Sequence, residues 1–274
     1  MKPALIALVA AFAAASASAD DVAAPAEPIE PPAAAYARAK PAIGPDATAP
    51  EVLAACRAML PAKPIELAGA MILRNRRGIV QSEHDYRLVM RRSGGVALMT
   101  VHLFPRGETN ETAAVTIARK AGARATIRLS KAGGEQAEVV DSPLERVLGT
   151  DVTWLDLTFD FLWWNDAAYE AEREGESVHG QKCRVILVKP DVAIDGLSAV
   201  RLWADKKTGC LMQSEQVDAA GRPIRRLWGT RVKKFDGKWM VSVLEVETLG
   251  ARHRTKITVD SIRELGDSEA DDRP

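Results

Sequence analysis

The side chains best suited to acid–base, nucleophilic or metal chemistry are four histidines, His84, His102, His179 and His253, and three cysteines, Cys56, Cys183 and Cys210. Their spacing decides whether such chemistry is written locally in the chain. The histidines lie far apart in sequence. The stretch "SEHDY" at 82–86 sets carboxylates beside an imidazole, as half of a metal or acid–base site would. No nucleophile or further ligand stands at a fixed distance from it, and a solvated strand face is the alternative. Cys56 falls on the apolar side of a helical repeat with no histidine close in sequence, which describes a buried structural thiol better than a reactive one. No Gly-x-Ser-x-Gly elbow, phosphate loop, dinucleotide fingerprint or HExxH zinc helix occurs, and Gly133-Gly134 reads as a turn. The expectation is a non-enzymatic protein without metal or cofactor. The arginines Arg74, Arg76, Arg77, Arg91 and Arg92 could face a lipid headgroup or an acidic partner, or occupy solvated strand ends.

Composition narrows the partner. Lysine and arginine number 37 and aspartate and glutamate 37, with no basic stripe, which argues against nucleic acid. Met1 and Lys2, the apolar run Ala4 to Ala15 and Ala17-Ser18-Ala19 have the layout of a secretory signal peptide over 1–19, and the run is too short to span a bilayer. The expected location is the periplasm. Residues 20–50 are rich in alanine and proline and read as a flexible tether. One domain is expected over 51–265, followed by an acidic, disordered tail over 266–274. In an exported chain three cysteines allow one disulfide. Cys183 with Cys210, in neighbouring expected strands, is the preferred pair, and three buried thiols are the alternative.

The elements that must position these groups are mostly strands. "EVLAACRAMLP" repeats apolar residues at helical intervals, Val52, Leu53, Cys56, Met59 and Leu60, until Pro61 stops it. Beyond it, "YRLVMRR", "VALMTVHLF", "TAAVTIARK" and "ATIRLS" alternate with period two between turns at Ser93-Gly94-Gly95, Gly107-Glu108 and Gly122. The second half continues with "QKCRVILVKP", "SAVRLWADKKTG", "CLMQSEQVDAAGR", "IRRLWGTRVKKFDGK", "WMVSVLEVET" and "RTKITVDSI". Hairpin turns without helical crossovers mean an antiparallel meander. Between the halves, Ser142-Pro143 with Glu145 reads as a helix start, and Thr150-Asp151 as the cap of a second helix.

That interruption holds the densest apolar stretch, "TWLDLTFDFLWW". With period two, Trp154 opposes Phe159, Phe161 and Trp163; with a helical period, Leu155, Phe159, Leu162 and Trp163 share a face. Burial of such side chains contributes about 1.5–3 kcal/mol each, so the segment must cover a core, a cavity or a partner.

The stretches "LAACRAMLP" with "IELAGAMILRNRRG", then "GTDVTWLDL", "VHGQKCRVILVKP", "VRLWADKKTGCLMQSEQVDAAGRPIRRLW", "DGKWMVSVLEVE" and "HRTKITVDSI" keep one order along the chain. In that order they resemble the outer-membrane lipoprotein-sorting proteins, the LolA-like (and LolB-like) group. The resemblance implies a mainly β (α+β) fold, an incompletely closed antiparallel β-barrel curled around a hydrophobic cavity with a few lid or plug helices. It also implies a carrier or chaperone for lipid or for the acyl chains of a lipoprotein, served by inner-membrane export machinery and an outer-membrane acceptor. A sensor or scaffold of the same fold that binds a protein partner is the alternative. On this reading Trp154, Leu155, Phe159, Phe161, Leu162, Trp163 and Trp164 line or close the mouth of the cavity. Its walls are Val185 and Leu187, Val200 and Leu202, and Val241 and Val243. Their neighbours Arg184, Lys189, Arg201 and Lys238 face water, and Trp203 breaks the pattern.

Overall fold

A computed structural model describes residues 43, 44, 46–61, 63–93, 96–120, 123–132, 136–235 and 238–266. The signal peptide, most of the tether, the tail beyond Gly266 and the turns at Gly94-Gly95, Gly122, Gly133-Gly134 and Asp236-Gly237 lie outside the described residues, as do the side chains of Arg92 and Lys238.

The period-two segments become strands β1 Ile65–Asn75, β2 Val80–Ser93, β3 Val96–Pro105, β4 Ala113–Lys120, β5 Thr126–Lys131, β6 Glu138–Val139, β7 Asp166–Tyr169, β8 Ser177–Val178, β9 Gln181–Lys189, β10 Ala199–Asp205, β11 Leu211–Val217, β12 Pro223–Phe235, β13 Lys238–Thr248 and β14 His253–Glu264. They form one antiparallel 14-stranded sheet ordered β6-β5-β4-β3-β2-β1-β14-β13-β12-β11-β10-β9-β7, with β8 also paired to β9. The first and last long strands meet in its middle, from Ile65 opposite Glu264 to Asn75 opposite His253. The two end strands do not pair, so the sheet curls without closing.

Curling needs places where the ladder gives. The β1–β14 register shifts between Ala68 and Gly69. A Cβ on Gly69 would lie 1.8 Å from the Thr258 carbonyl oxygen, so glycine is required for that approach. An extra residue of this kind bends a strand and raises its twist. The concave face gathers one core that runs from Leu67 and Leu88 through Val115 to Leu202 and Leu244.

Helix α1, Ala49–Ala58, buries Ala49, Val52, Leu53 and Cys56 in that core. Glu51 fixes its start by accepting from the Thr48 backbone N–H at 2.7 Å and from its hydroxyl at 2.9 Å. Residues 43–50 differ here from the tether expected of them. Ile43 is buried, and Arg184 donates to the carbonyls of Gly44 at 2.5 Å and Ala47 at 3.1 Å, so this end of the segment is strapped to the sheet.

The preferred disulfide is not formed: Cys56, Cys183 and Cys210 are buried free thiols. Cys183 lies in β9 and Cys210 just before β11, and β10 runs between them. Two strand spacings are about 9–10 Å, beyond the roughly 7 Å that a disulfide spans between Cα atoms. Burial pushes the Cys183 thiol up to about 11 and that of Cys210 to about 12, with Cys56 raised further. Denatured protein should therefore titrate three thiols per chain, while native protein at pH 8 reacts much more slowly than a free thiol. One titratable thiol in the denatured chain would restore the disulfide.

Candidate functional site

The concave side of the sheet is filled by residues 153–164. Thr153 caps the short helix α2, Trp154–Thr158, in a reciprocal pair with Asp156. Phe159 then takes the left-handed conformation (φ 49°, ψ 35°), which ends the helix where glycine or asparagine is the usual occupant. A 3-10 turn, Asp160–Trp163, follows. Neither a period of two nor one of 3.6 runs through this break. Every residue from Trp154 to Leu162 is buried, so the segment is a plug with no wet face.

Its polar groups bind it to one end of the strands. Asp156 accepts from Arg225 Nη2 at 2.9 Å and Gln216 Nε2 at 3.0 Å. Asp151 accepts from the Thr248 hydroxyl at 2.7 Å and lies 2.8 Å from His253 Nδ1, while its backbone N–H donates to Thr255 Oγ1 at 2.7 Å. These partners belong to β11, β12, β13 and β14. Asp151 therefore anchors the plug rather than capping it, Thr150 bonds locally to Val147 and Val152, and the cap is Thr153. Ser142 to Glu145 forms a turn closed by the Glu145 N–H on the Ser142 carbonyl at 3.1 Å, not a helix start.

At the other end of the strands the plug meets an open cleft of about 50 Å³. Leu60, Met90, Met99, Ile117, Phe159 and Trp163 give it an apolar wall, and Lys63, Arg91 and Arg119 stand in the same lining. Arg119 pairs with Asp160 and lies 4.2 Å above the Trp163 ring. Edge-to-face contacts of Phe159 with Phe161 at 5.7 Å, and of Phe161 with Trp164 at 6.4 Å, tie the cleft floor to the core. A second hollow, about 470 Å³, lies between Asp46-Ala47, Tyr169 to Glu174 and Lys206. Its lining holds Glu170, Glu174, Arg184 and Lys206, a polar environment unsuited to a hydrocarbon chain.

Of the segment's apolar side chains, Phe159 and Trp163 reach the cleft, beside Thr158. Trp154, Leu155, Phe161, Leu162 and Trp164 are packed in the core. Val200 and Leu202 face the plug, in register with Gln216 and Ser214. Val185 and Leu187 do not: they pair with Trp203 and Arg201 on the opposite face, and Ile186 and Val188 take the inner positions. The reading of β9 was thus one residue out of phase, which moves a whole strand face. Register shifts in β12 against β13 have a like effect, since Val241 joins the core cluster and Val243, though buried, does not.

Arg201 also departs from expectation. It is 4% exposed and sits between Glu170 and Glu215, because residues 170–178, beyond β7, fold over the outer face of β9 and β10. Of the arginines singled out in the first half of the chain, Arg91 lines the cleft, whereas Arg74, Arg76 and Arg77 lie at the far β1–β2 hairpin. The histidines stay apart, and no group of three or more His, Cys, Asp or Glu among the described residues could hold a metal ion. Sequence reasoning missed Arg119, although the signal was present. Val115, Ile117 and Arg119 alternate on the inner face of β4, and an arginine at a core-facing position is unusual.

Replacing Asp156 with Ala should leave Arg225 buried without its carboxylate and cost about 3–5 kcal/mol. Urea unfolding should show a lower midpoint at unchanged slope. A loss under about 1 kcal/mol would mean that the anchor is dispensable.

A family model described as "Uncharacterized protein" matches residues 139–269. Comparison with curated proteins finds no match. Among solved structures, a DUF1329 family protein from Desulfovibrio piger is similar with a TM-score of 0.68 at 15% identity, over 82% of this chain and 96% of that one. An outer membrane lipoprotein-sorting protein domain from Vibrio parahaemolyticus gives 0.68 at 16% identity, over 81% and 96%. A LolA superfamily protein from Nitrosomonas europaea gives 0.62 at 15% identity, again over 81% and 96%. These likenesses bear on architecture, and with the open, plugged sheet they agree: the chain has the curled antiparallel fold of the DUF1329 and LolA-superfamily structures.

Proposed function

We propose that the protein is a non-enzymatic periplasmic carrier that takes up an apolar chain, from a lipid or an acylated lipoprotein, at the cleft floored by Phe159 and Trp163. The observation that carries this reading is an apolar cleft at the open end of a curled sheet, continuous with an aromatic plug. The same fold in a lipoprotein-sorting domain supports it. No helix among the described residues is long and apolar enough to cross a membrane. A carrier moving acyl chains through water must enclose them, since each methylene left in water costs about 0.8 kcal/mol. Delivery would run from inner-membrane export machinery to an outer-membrane acceptor.

At about 50 Å³ the cleft is a starting point rather than a finished cavity. A dry cavity that admits benzene is about 150 Å³. Loading therefore requires the plug end at Phe159 to Trp163 to swing aside. The cleft is built for give, because Met90 and Met99 are unbranched and repack readily. The plug's other end stays fixed by Asp151 and Asp156.

Mature protein purified from its native compartment should release lipid or an acylated peptide into organic solvent, identified by mass spectrometry. Trp163→Ala should weaken uptake of a fluorescent fatty-acid probe while the melting temperature holds within a few degrees. Trp154→Ala, deep in the core, should instead destabilise by about 3–5 kcal/mol. Empty preparations that also refuse the probe would remove the carrier reading.

A further inference from the structure

We infer that the cleft selects an amphiphile with an anionic head, a long-chain carboxylate or phosphate, and that Arg119 holds the head. This rests on the carrier reading and adds the chemistry that reading leaves open.

Arg119 is 6% exposed, yet it lines the cleft. β4 dictates this, because Val115, Ile117 and Arg119 share its inner face and the strand carries the guanidinium to the cleft wall. Only Nη2 is engaged, by Asp160, and the indole of Trp163 lies beneath the group. The remaining guanidinium nitrogens have no hydrogen-bond partner among the described residues, and the residue lines the cleft. A guanidinium confined to an apolar wall with donors to spare is a ready partner for an anion. The Trp163 face holds it flat until the plug tip moves, and β4 keeps it in the cleft wall afterwards.

The charge of the lining points the same way. Lys63, Arg91 and Arg119 are its ionic residues, and no carboxylate stands among them. Asp160 offsets Arg119 from behind, and Lys63 has an exposed partner in Glu264 at 3.2 Å. An anionic head entering here gains charge-assisted hydrogen bonds in a poorly hydrated setting, where they are roughly twice as strong as neutral ones. An alcohol head gains less, and an ammonium head meets like charge. The tail then lies along Leu60, Met90, Met99 and Ile117.

The test is a chain-matched ligand series on the intact mature protein, below each ligand's micelle concentration, read by titration calorimetry. Hexadecanoate or hexadecyl phosphate should bind at least about tenfold more tightly than hexadecanol, the scale expected of a hydrogen bond to a charged group. Hexadecylammonium should bind weakest. A preference within the anionic pair assigns carboxylate or phosphate. The double variant Arg119→Met with Asp160→Asn leaves no unpaired buried charge and should abolish the preference while hexadecanol still binds. Equal affinities across the wild-type series would overturn the headgroup inference and leave the carrier reading standing. Failure of every ligand, hexadecanol included, would overturn both. The wild-type series decides the matter even if the variant does not fold.

Discussion

A sheet that curls without closing has one concave face and must fill it with its own chain. Here the filling is a segment whose apolar side chains point in all directions, so its acids are buried along with them. Asp151 and Asp156 are 0% and 4% exposed. Taking a carboxylate out of water costs several kcal/mol, and that cost is offset only where nearly every lone pair is met. Both acids satisfy the condition through Arg225, Gln216, Thr248 and Thr255. Those donors come from four consecutive strands at one end, so the plug fits in one place and one orientation. Apolar packing alone would fix neither, since a greasy segment can slide at little cost in a greasy trough. The polar anchor is what delivers Phe159, Asp160 and Trp163 to the opposite end, where the cleft opens.

The same constraint governs the sheet edges. An unclosed sheet exposes two strands with unpaired backbone groups, which invite pairing with other chains. Here the edges are short, β6 with two residues and β7 with four. Beyond β7 the chain doubles back over the outer face of β9 and β10 and covers Arg201 and Trp203, where Trp203 Nε1 donates to Glu176 at 2.8 Å. One face of these strands thus meets the plug and the other meets this cover. That is why β10 is buried throughout and why its alternation of polar and apolar residues carries little information about which side is inside.

Legibility in the sequence followed local physics. Period-two runs broken by glycine turns marked the long strands, and the helical spacing from Val52 to Leu60 marked α1, with Pro61 as its stop. What escaped was set by tertiary contact. The Thr150-Asp151 pair has the composition of a cap, and the use of Asp151 as an anchor depends on Thr248 and Thr255, about a hundred residues away. Phe159 hides a left-handed residue that no spacing reveals. The inner face of β9 could not be chosen while both faces were apolar. The resemblance to LolA-like proteins carried the architecture correctly, but it did not single out Arg119, which belongs to this chain's own cleft.

The energetics at the two ends of the plug are unequal, and the inequality bears on how a carrier of this build can load. The anchored end is held by two buried carboxylates with several donors each. The cleft end is held by one ion pair, one cation–π contact and the packing of two aromatic rings. Exposing those rings costs about 1.5–3 kcal/mol apiece, and the cation–π contact adds about 0.5–2 kcal/mol. A 16-carbon chain leaving water gains about 12 kcal/mol when wholly enclosed. Even half of that chain, threaded past Met90 and Met99, matches the loss of both rings. Displacement of the two rings is thus within reach of a half-enclosed chain, parting Arg119 from Asp160, as buried a pair as Arg225 with Asp156, takes more of that gain, and a chain of four or five carbons gains too little for either. Uprooting Asp156 from Arg225 would add the full penalty of a buried unpaired charge. Opening should accordingly proceed by a hinge near the left-handed Phe159, where the backbone already departs from helix, with α2 left in place.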